Sequence, residues 1–152
     1  MTSRMLQFVV EGPPQGKARP RFVRTRTGMR TYTLDKTKSY EAQIGFVARG
    51  ALAGAPMLAG ALEVAVSAHY PIPASWSKRK RAQALRNEIR PTVKPDLDNV
   101  VKAVLDALNG VAYVDDCQVV DSHGRKSYSE RPSLLVQVFE LKHLKQQESA
   151  HA

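Results

Sequence analysis

Strict alternation of apolar and polar residues marks the most regular segment of the chain. In ALEVAVSAHY the larger apolar side chains fall on every second residue from Leu62 to Tyr70, which is the period of a strand with one buried face. MLQFVVEG near the N-terminus predicts an earlier strand. CQVVDSHGRKSY and SLLVQVFEL predict two later strands, which we expect to pair as a terminal hairpin.

Helical spacing marks three other segments, SYEAQIGFVARGAL, SKRKRAQALRNE and VVKAVLDALNG. In the third, the apolar stripe comprises Val100, Val101, Val104, Leu105 and Leu108. Proline disfavours helical geometry at the residue before it, so this helix should begin after Pro95, with Asp98 as its N-cap.

The order β, α, β, α, α, β, β predicts an α/β (α+β) fold in which a small mixed β-sheet packs with helices. GPPQGKARPRFVRTRTGMRTY, rich in Gly, Pro and Arg, is predicted to be a long basic loop. We expect one domain over residues 1–142 and a loosely ordered tail over residues 143–152.

Composition fits this expectation, because 152 residues with 43% hydrophobic and 24% charged residues are typical of one globular domain. No apolar run approaches the roughly 18 residues that span a bilayer, and the N-terminal apolar stretch is too short for a signal peptide. The single cysteine, Cys117, forms no intrachain disulfide. These features favour a cytoplasmic protein.

The net charge of +9 is unevenly distributed. Residues 12–36 and 78–94 each hold seven basic residues against one acidic residue, whereas six of the 14 acidic residues fall between Asp96 and Asp121. Two basic segments of this density are typical of nucleic-acid binding, although a solvated basic surface is the alternative. The residues expected to contact DNA are Lys17, Arg19, Arg21, Arg24, Arg26, Lys78, Arg79, Lys80, Arg81 and Lys94.

The acidic residues suggest a metal site. Asp96 and Asp98 lie two residues apart ahead of a helix, and a third carboxylate at the edge of the next strand can converge with them. Clustered carboxylates repel one another unless a cation lies between them. Mg²⁺ prefers such hard oxygen ligands, and beside basic segments it suggests phosphodiester cleavage.

The segment KPDLDNVVKAVLDALNGVAYVDDCQVVDSHGRKSY resembles the central motif of the RusA family of Holliday junction resolvases. That motif has Asp-x-Asp-Asn, a lysine on the next helical turn, Asp-Ala-Leu and a closing Asp-Asp-x-Gln-Val. KARPRFV, SYEAQI and PIPASWSKRKR are also similar to family members found in bacteria and prophages. The resemblance implies a bacterial or phage-encoded homodimer that nicks two opposed strands of four-way DNA junctions with Mg²⁺, with Mn²⁺ as the alternative ion.

By this resemblance, Asp96, Asp98 and Asp116 match the metal-binding and catalytic aspartates, and Lys102 matches the catalytic lysine. Asp115 is the alternative third acid, because an alignment shifted by one residue exchanges it with Asp116. Asn99 is expected to support the acidic loop. Two other functions stay open: a binder of junctions or branched DNA without nuclease activity, and a nuclease for other branched or flap DNA.

Overall fold

A computed structural model describes residues 3–17, 21–32 and 35–142. The predicted C-terminal tail, 143–152, lies outside the described residues. The strands are β1 (Met5–Glu11), β2 (Arg21–Thr25), β3 (Gly28–Tyr32), β4 (Leu62–Pro71), β5 (Val119–Ser129) and β6 (Ser133–Glu140). The helices are α1 (Asp35–Leu52), α2 (Lys78–Leu85) and α3 (Leu97–Leu108), and a short 3₁₀ helix (Asp116–Gln118) precedes β5. The mixed α and β architecture confirms the predicted fold class.

The main sheet has the strand order β1-β6-β4-β5. Strand β6 pairs antiparallel with both β1 and β4, whereas β5 pairs parallel with β4. The prediction that the last two strands form a hairpin is therefore wrong, since β4 lies between them.

The physical reason lies in the side chains of the two strands. Strand β6 buries Leu134, Val136 and Val138 and occupies an inner position, whereas β5 is polar over most of its length and forms an edge. A parallel β4–β5 pair also needs a crossover, and α2 and α3 supply it.

The core lies between one face of this sheet and the helices. The five predicted apolar positions of β4 are all buried. Helix α1 packs against β1 and α3, while α3 packs against β4 and β5. Val100, Val104 and Leu108 of α3 are fully buried, and each such side chain contributes about 1.5–3 kcal/mol. This packing fixes α3 relative to the sheet.

The predicted basic loop is in part a hairpin, which corrects the sequence interpretation. Strands β2 and β3 pair antiparallel, with Thr25 opposite Gly28. Thr25 Oγ1 donates to the Gly28 carbonyl at 2.6 Å, and Gly28 has a φ of +137°, a conformation that glycine adopts readily. The sequence interpretation missed the two-residue turn between β2 and β3 because the segment is so rich in Gly, Pro and Arg.

The N-cap of α3 is Asp96, two residues earlier than the expected Asp98, because the helix begins at Leu97. Asp98 instead lies in the first turn, where a carboxylate interacts favourably with the helix dipole. Helix α2 has Ser77 as its N-cap, and Ser77 Oγ accepts a hydrogen bond from Lys80 N at 3.2 Å. Among the described residues, no helix combines the length and apolar character needed to cross a membrane.

Candidate active site

Two cavities flank the first turns of α3. The first, which we call the acidic cavity, measures about 510 Å³. It is lined by Leu97, Asp98, Val101, Lys102, Leu105, Asp106, Asp116, Ser122 and Gly124. The second, the lysine cavity, measures about 410 Å³ and includes Lys17, Lys36, Lys94, Asp96 and Asn99 in its wall.

The predicted site residues divide between these cavities. Asp98, Lys102 and Asp116 share the acidic cavity, although they come from α3 and the following 3₁₀ helix. Asp96 and Asn99 line the lysine cavity. Asp96, Asp98 and Asp116 do not form a compact set of metal ligands in the described part of the chain. Their carboxylate oxygens do not all lie within 4.8 Å of one another.

Asp98 and Lys102 lie on one face of α3 because they are four residues apart. The Lys102 side chain is 64% exposed, and its Nζ lies 3.9 Å from Asp106 Oδ2. Its ammonium group is thus accessible at the cavity rim. This position suits a cation that neutralises charge on a phosphate entering the cavity.

The segment before α3 is held by side chains of the sheet. Tyr70 Oη donates to the Pro95 carbonyl at 2.6 Å, and Lys126 Nζ donates to the Val93 carbonyl at 2.6 Å. Burial raises the pKa of Tyr70 to about 12, so its hydroxyl is protonated at neutral pH and donates. Sequence patterns did not indicate these contacts, because each joins residues at least 25 positions apart.

Lys17 is already paired with carboxylates. Its Nζ donates to Asp106 Oδ2 and lies 3.5 Å from Glu41 Oε1. The hydrogen bond to Asp106 raises the pKa of Lys17 above its ordinary value. Lys17 N also donates to the Asn99 carbonyl at 3.2 Å, so this lysine ties the N-terminal segment to α3, and Asp106 is partly neutralised.

The adjacent acids Asp115 and Asp116 have different surroundings. Asp115 caps the 3₁₀ helix by accepting from Cys117 N at 3.2 Å, and this hydrogen bond lowers the pKa of its carboxyl. Asp116 is partly buried and lines the acidic cavity, whereas Asp115 is exposed and is not in the cavity wall.

The predicted DNA-contacting residues are exposed where their side chains are described, apart from Lys17 and Arg81, which are partly buried. Arg24 and Arg26 lie on the β2–β3 hairpin, and Lys80 Nζ lies 4.1 Å from the centre of the Trp76 ring. Arg19 and the side chain of Arg21 lie outside the described residues. Lys78, Arg79 and Lys94 are exposed.

A third cluster of ionisable residues lies on the main sheet. His123 Nε2 lies 3.2 Å from Glu63 Oε1 and 3.3 Å from Asp121 Oδ1. Glu63 and Asp121 are register partners on β4 and β5. Sequence spacing gave no signal for this group, because the parallel pairing was not predicted.

The donors of the acidic cavity fit a hard divalent cation. Asp98 is exposed and Asp116 is partly exposed, so both carboxylates remain accessible to water. Mg²⁺ keeps several waters and is commonly bound by one or two carboxylates. Two accessible carboxylates beside an ammonium group therefore suit Mg²⁺ or Mn²⁺ together with a phosphate.

Comparison with known proteins agrees with this chemistry. The family model for endodeoxyribonuclease RusA matches residues 11–139, which include both cavities. The chain is also 36% identical over 138 residues to the uncharacterized protein YqaN of Bacillus subtilis (strain 168), and the match covers 90% of this chain and 96% of that protein. The chain therefore belongs to the RusA family of endodeoxyribonucleases.

Proposed function

We propose that the protein is a Mg²⁺-dependent, structure-specific endodeoxyribonuclease that resolves Holliday junctions by paired nicks in opposed strands. The observation that carries the proposal is the grouping of Asp98, Lys102 and Asp116 around one cavity in a chain of the RusA family. A protein that only binds DNA gains nothing from carboxylates that repel phosphates.

In this proposal, Asp98 and Asp116 of the acidic cavity would hold the metal ion together with Asp96, which is the N-cap of α3 and lines the neighbouring lysine cavity. When bound, the ion supplies Lewis acidity and lowers the pKa of a coordinated water. Mn²⁺ is expected to substitute for Mg²⁺, because it also accepts carboxylate and water ligands.

Lys102 has a separate role in the proposal. Its exposed ammonium group stabilises the negative charge that develops on the phosphoryl oxygens. Asn99, in the first turn of α3, supports the acidic segment. Its backbone carbonyl accepts a hydrogen bond from Lys17 N. Lys17 then acts mainly by holding this region together.

Asp116 is our choice for the third acid. Its presence in the wall of the acidic cavity supports this role, whereas the carboxylate of Asp115 already accepts the Cys117 amide. An acid engaged as a helix cap is less available to a metal ion. Asp115 stays the alternative.

Basic residues on two other elements contribute to the proposed DNA surface. The β2–β3 hairpin carries Arg24 and Arg26, and α2 carries Lys78, Arg79 and Lys80. These cations displace counterions from phosphates and position the DNA without reading its sequence.

The test of this function is cleavage of a synthetic four-way junction with Mg²⁺. We expect two symmetric nicks in opposed strands and much slower cleavage of linear, flap and three-way DNA. Preferred cleavage of flap or three-way substrates would favour the alternative nuclease. Junction binding without cleavage in either Mg²⁺ or Mn²⁺ would favour the inactive binder.

A homodimer follows from the proposed substrate, because two equivalent strands are most simply cut by two sites related by a two-fold axis. Two surfaces are candidates for the dimer interface because each exposes large apolar side chains: Met5 (53% exposed) and Val9 (44%) on β1, and Phe46 (77%) on α1.

Sedimentation of the chain, whose mass is 16.8 kDa, should report about twice that mass at micromolar concentration if a two-fold dimer forms. Comparing Phe46→Ser with Val9→Ser then identifies the surface, since only a variant in the interface shifts the equilibrium towards monomer. A strict monomer that nicks both strands in one encounter would contradict the dimer.

A further inference from the structure

We propose that Asn109 is a positioning residue for Asp116, and that its side-chain amide keeps this acid directed at the cavity where Asp98 and Lys102 lie. The inference rests on the proposed function and deepens it. Asn109 is the C-cap of α3, and Asp116 begins the 3₁₀ helix seven residues later. Asp98 and Asp116, the two acids of the cavity that we propose as metal ligands, therefore come from different elements, and the residues that join these elements set their separation.

The joining contact is direct. Asn109 Oδ1 accepts a hydrogen bond from Asp116 N at 2.7 Å. Through this bond, the backbone of the third acid is attached to the end of the helix that carries Asp98. A change in the Asn109 side chain therefore alters the relation between the two carboxylates without removing either one.

One hydrogen bond closes the intervening turn, and another attaches it to α3. Gly110 N donates to the Tyr113 carbonyl at 2.8 Å. Tyr113 Oη donates to the Leu105 carbonyl at 2.7 Å, and the Tyr113 side chain is fully buried. Tyr113 thus attaches the start of the turn to α3, and other contacts hold the residues after it.

Those residues depend on side-chain acceptors. Gln118 Oε1 accepts from Val114 N at 3.1 Å and from Asp115 N at 3.2 Å, while Gln118 Nε2 donates to the Gly60 carbonyl at 3.1 Å. The next amide, that of Asp116, is bonded to Asn109. Gln118 fixes the loop to the body of the protein, and Asn109 fixes the acid to α3.

Neither side chain lines the acidic cavity, so this role differs from that of a catalytic residue. Residues that orient metal ligands through hydrogen bonds typically change metal affinity or activity by about 10- to 100-fold when they are replaced. We therefore expect a defect in metal binding rather than in DNA binding.

The test is a calorimetric titration of the metal-free, full-length protein with Mn²⁺ in the absence of DNA. Asn109→Ala should weaken Mn²⁺ binding by about 10- to 100-fold. Asn109→Asp, which keeps an acceptor oxygen at the same position, should retain most of the affinity. Asp116→Asn identifies the binding event that belongs to this site, because that event should be lost in the variant.

Gln137→Ala is the matched control, since it removes another amide hydrogen bond, from Gln137 Nε2 to Gln7 Oε1 at 2.9 Å, which joins β6 to β1. It should bind Mn²⁺ like the parent. If Asn109→Ala does not fold, Asn109→Gln replaces it, because the longer side chain displaces the acceptor by one methylene and should also weaken binding.

Parent-like Mn²⁺ affinity in a folded Asn109→Ala or Asn109→Gln protein would overturn the positioning role. The role would also be overturned if the parent protein bound no Mn²⁺, or if its Mn²⁺ binding did not depend on Asp116. Junction cleavage provides the second measurement: the Mn²⁺ concentration for half-maximal rate should rise with the dissociation constant. A parent that binds Mn²⁺ through Asp116 and does not cleave DNA overturns the proposed function and leaves the positioning role supported.

Discussion

Asp98→Asn is expected to lower the rate of junction cleavage by at least about 10²–10³-fold, the loss typical of removing one preorganised charge-stabilising group. The substitution keeps the shape of the side chain but removes the negative charge that binds the metal ion. Junction affinity should be unchanged or higher, since the same charge repels phosphates. Single-turnover cleavage at saturating protein, with binding measured in EDTA, separates the two effects.

Asp96→Asn and Asp116→Asn should behave like Asp98→Asn. Asp115→Asn is the informative control, because Asp115 is exposed and its carboxylate caps the 3₁₀ helix; this variant should retain most of its activity. The reverse result, with Asp115→Asn inactive and Asp116→Asn active, would exchange their roles. Full activity in all four variants would show that these acids do not form the metal site.

Replacing Lys78, Arg79 and Lys80 together with Ala should weaken binding to every DNA and reduce its dependence on salt. Each phosphate contact contributes about 0.9 to the slope of log K against log salt concentration, so the loss of three contacts should make that slope shallower by about 2 to 3 units. Fluorescence anisotropy between low and physiological salt measures both quantities.

The matched control removes the same charge elsewhere, through Arg49, Arg131 and Lys142, which are also exposed. If both triple variants lose the same slope, general positive charge rather than α2 attracts the DNA. The cleavage rate at saturating protein should change little in the α2 variant, since none of its three residues lines the acidic cavity.

Local patterns in the sequence were sufficient to predict much of the fold. The alternation of β4 and the apolar stripe of α3 are properties of single elements. Both predictions are confirmed, for example by the burial of Val64 and Val104. The pairing of β5 was misread because proximity along the chain favours a hairpin, whereas the insertion of β6 beside β4 depends on burial across the whole sheet.

The site shows the same division between local and long-range information. Asp98 and Lys102 share a helix face by spacing alone. By contrast, the contact of Lys17 with Asp106 joins residues 89 positions apart, and no local pattern distinguishes this paired lysine from an exposed one. The proposed role of Asn109 has no local signal either, because Asn-Gly after a helix is already explained as a C-terminal stop.

Two glycines limit how far this chain can vary without moving its acids. A Cβ atom on Gly124 would lie 3.1 Å from side-chain carbons of Leu97 and Val101, and one on Gly16 would lie 3.0 Å from Asn99 Cβ. At both positions an added Cβ atom would make a contact tighter than is usual, so helix α3 or the side chains beside it would have to shift by a few tenths of an ångström. Selection on the position of the helix that carries Asp98 therefore extends to these two glycines, which lie on other segments of the chain.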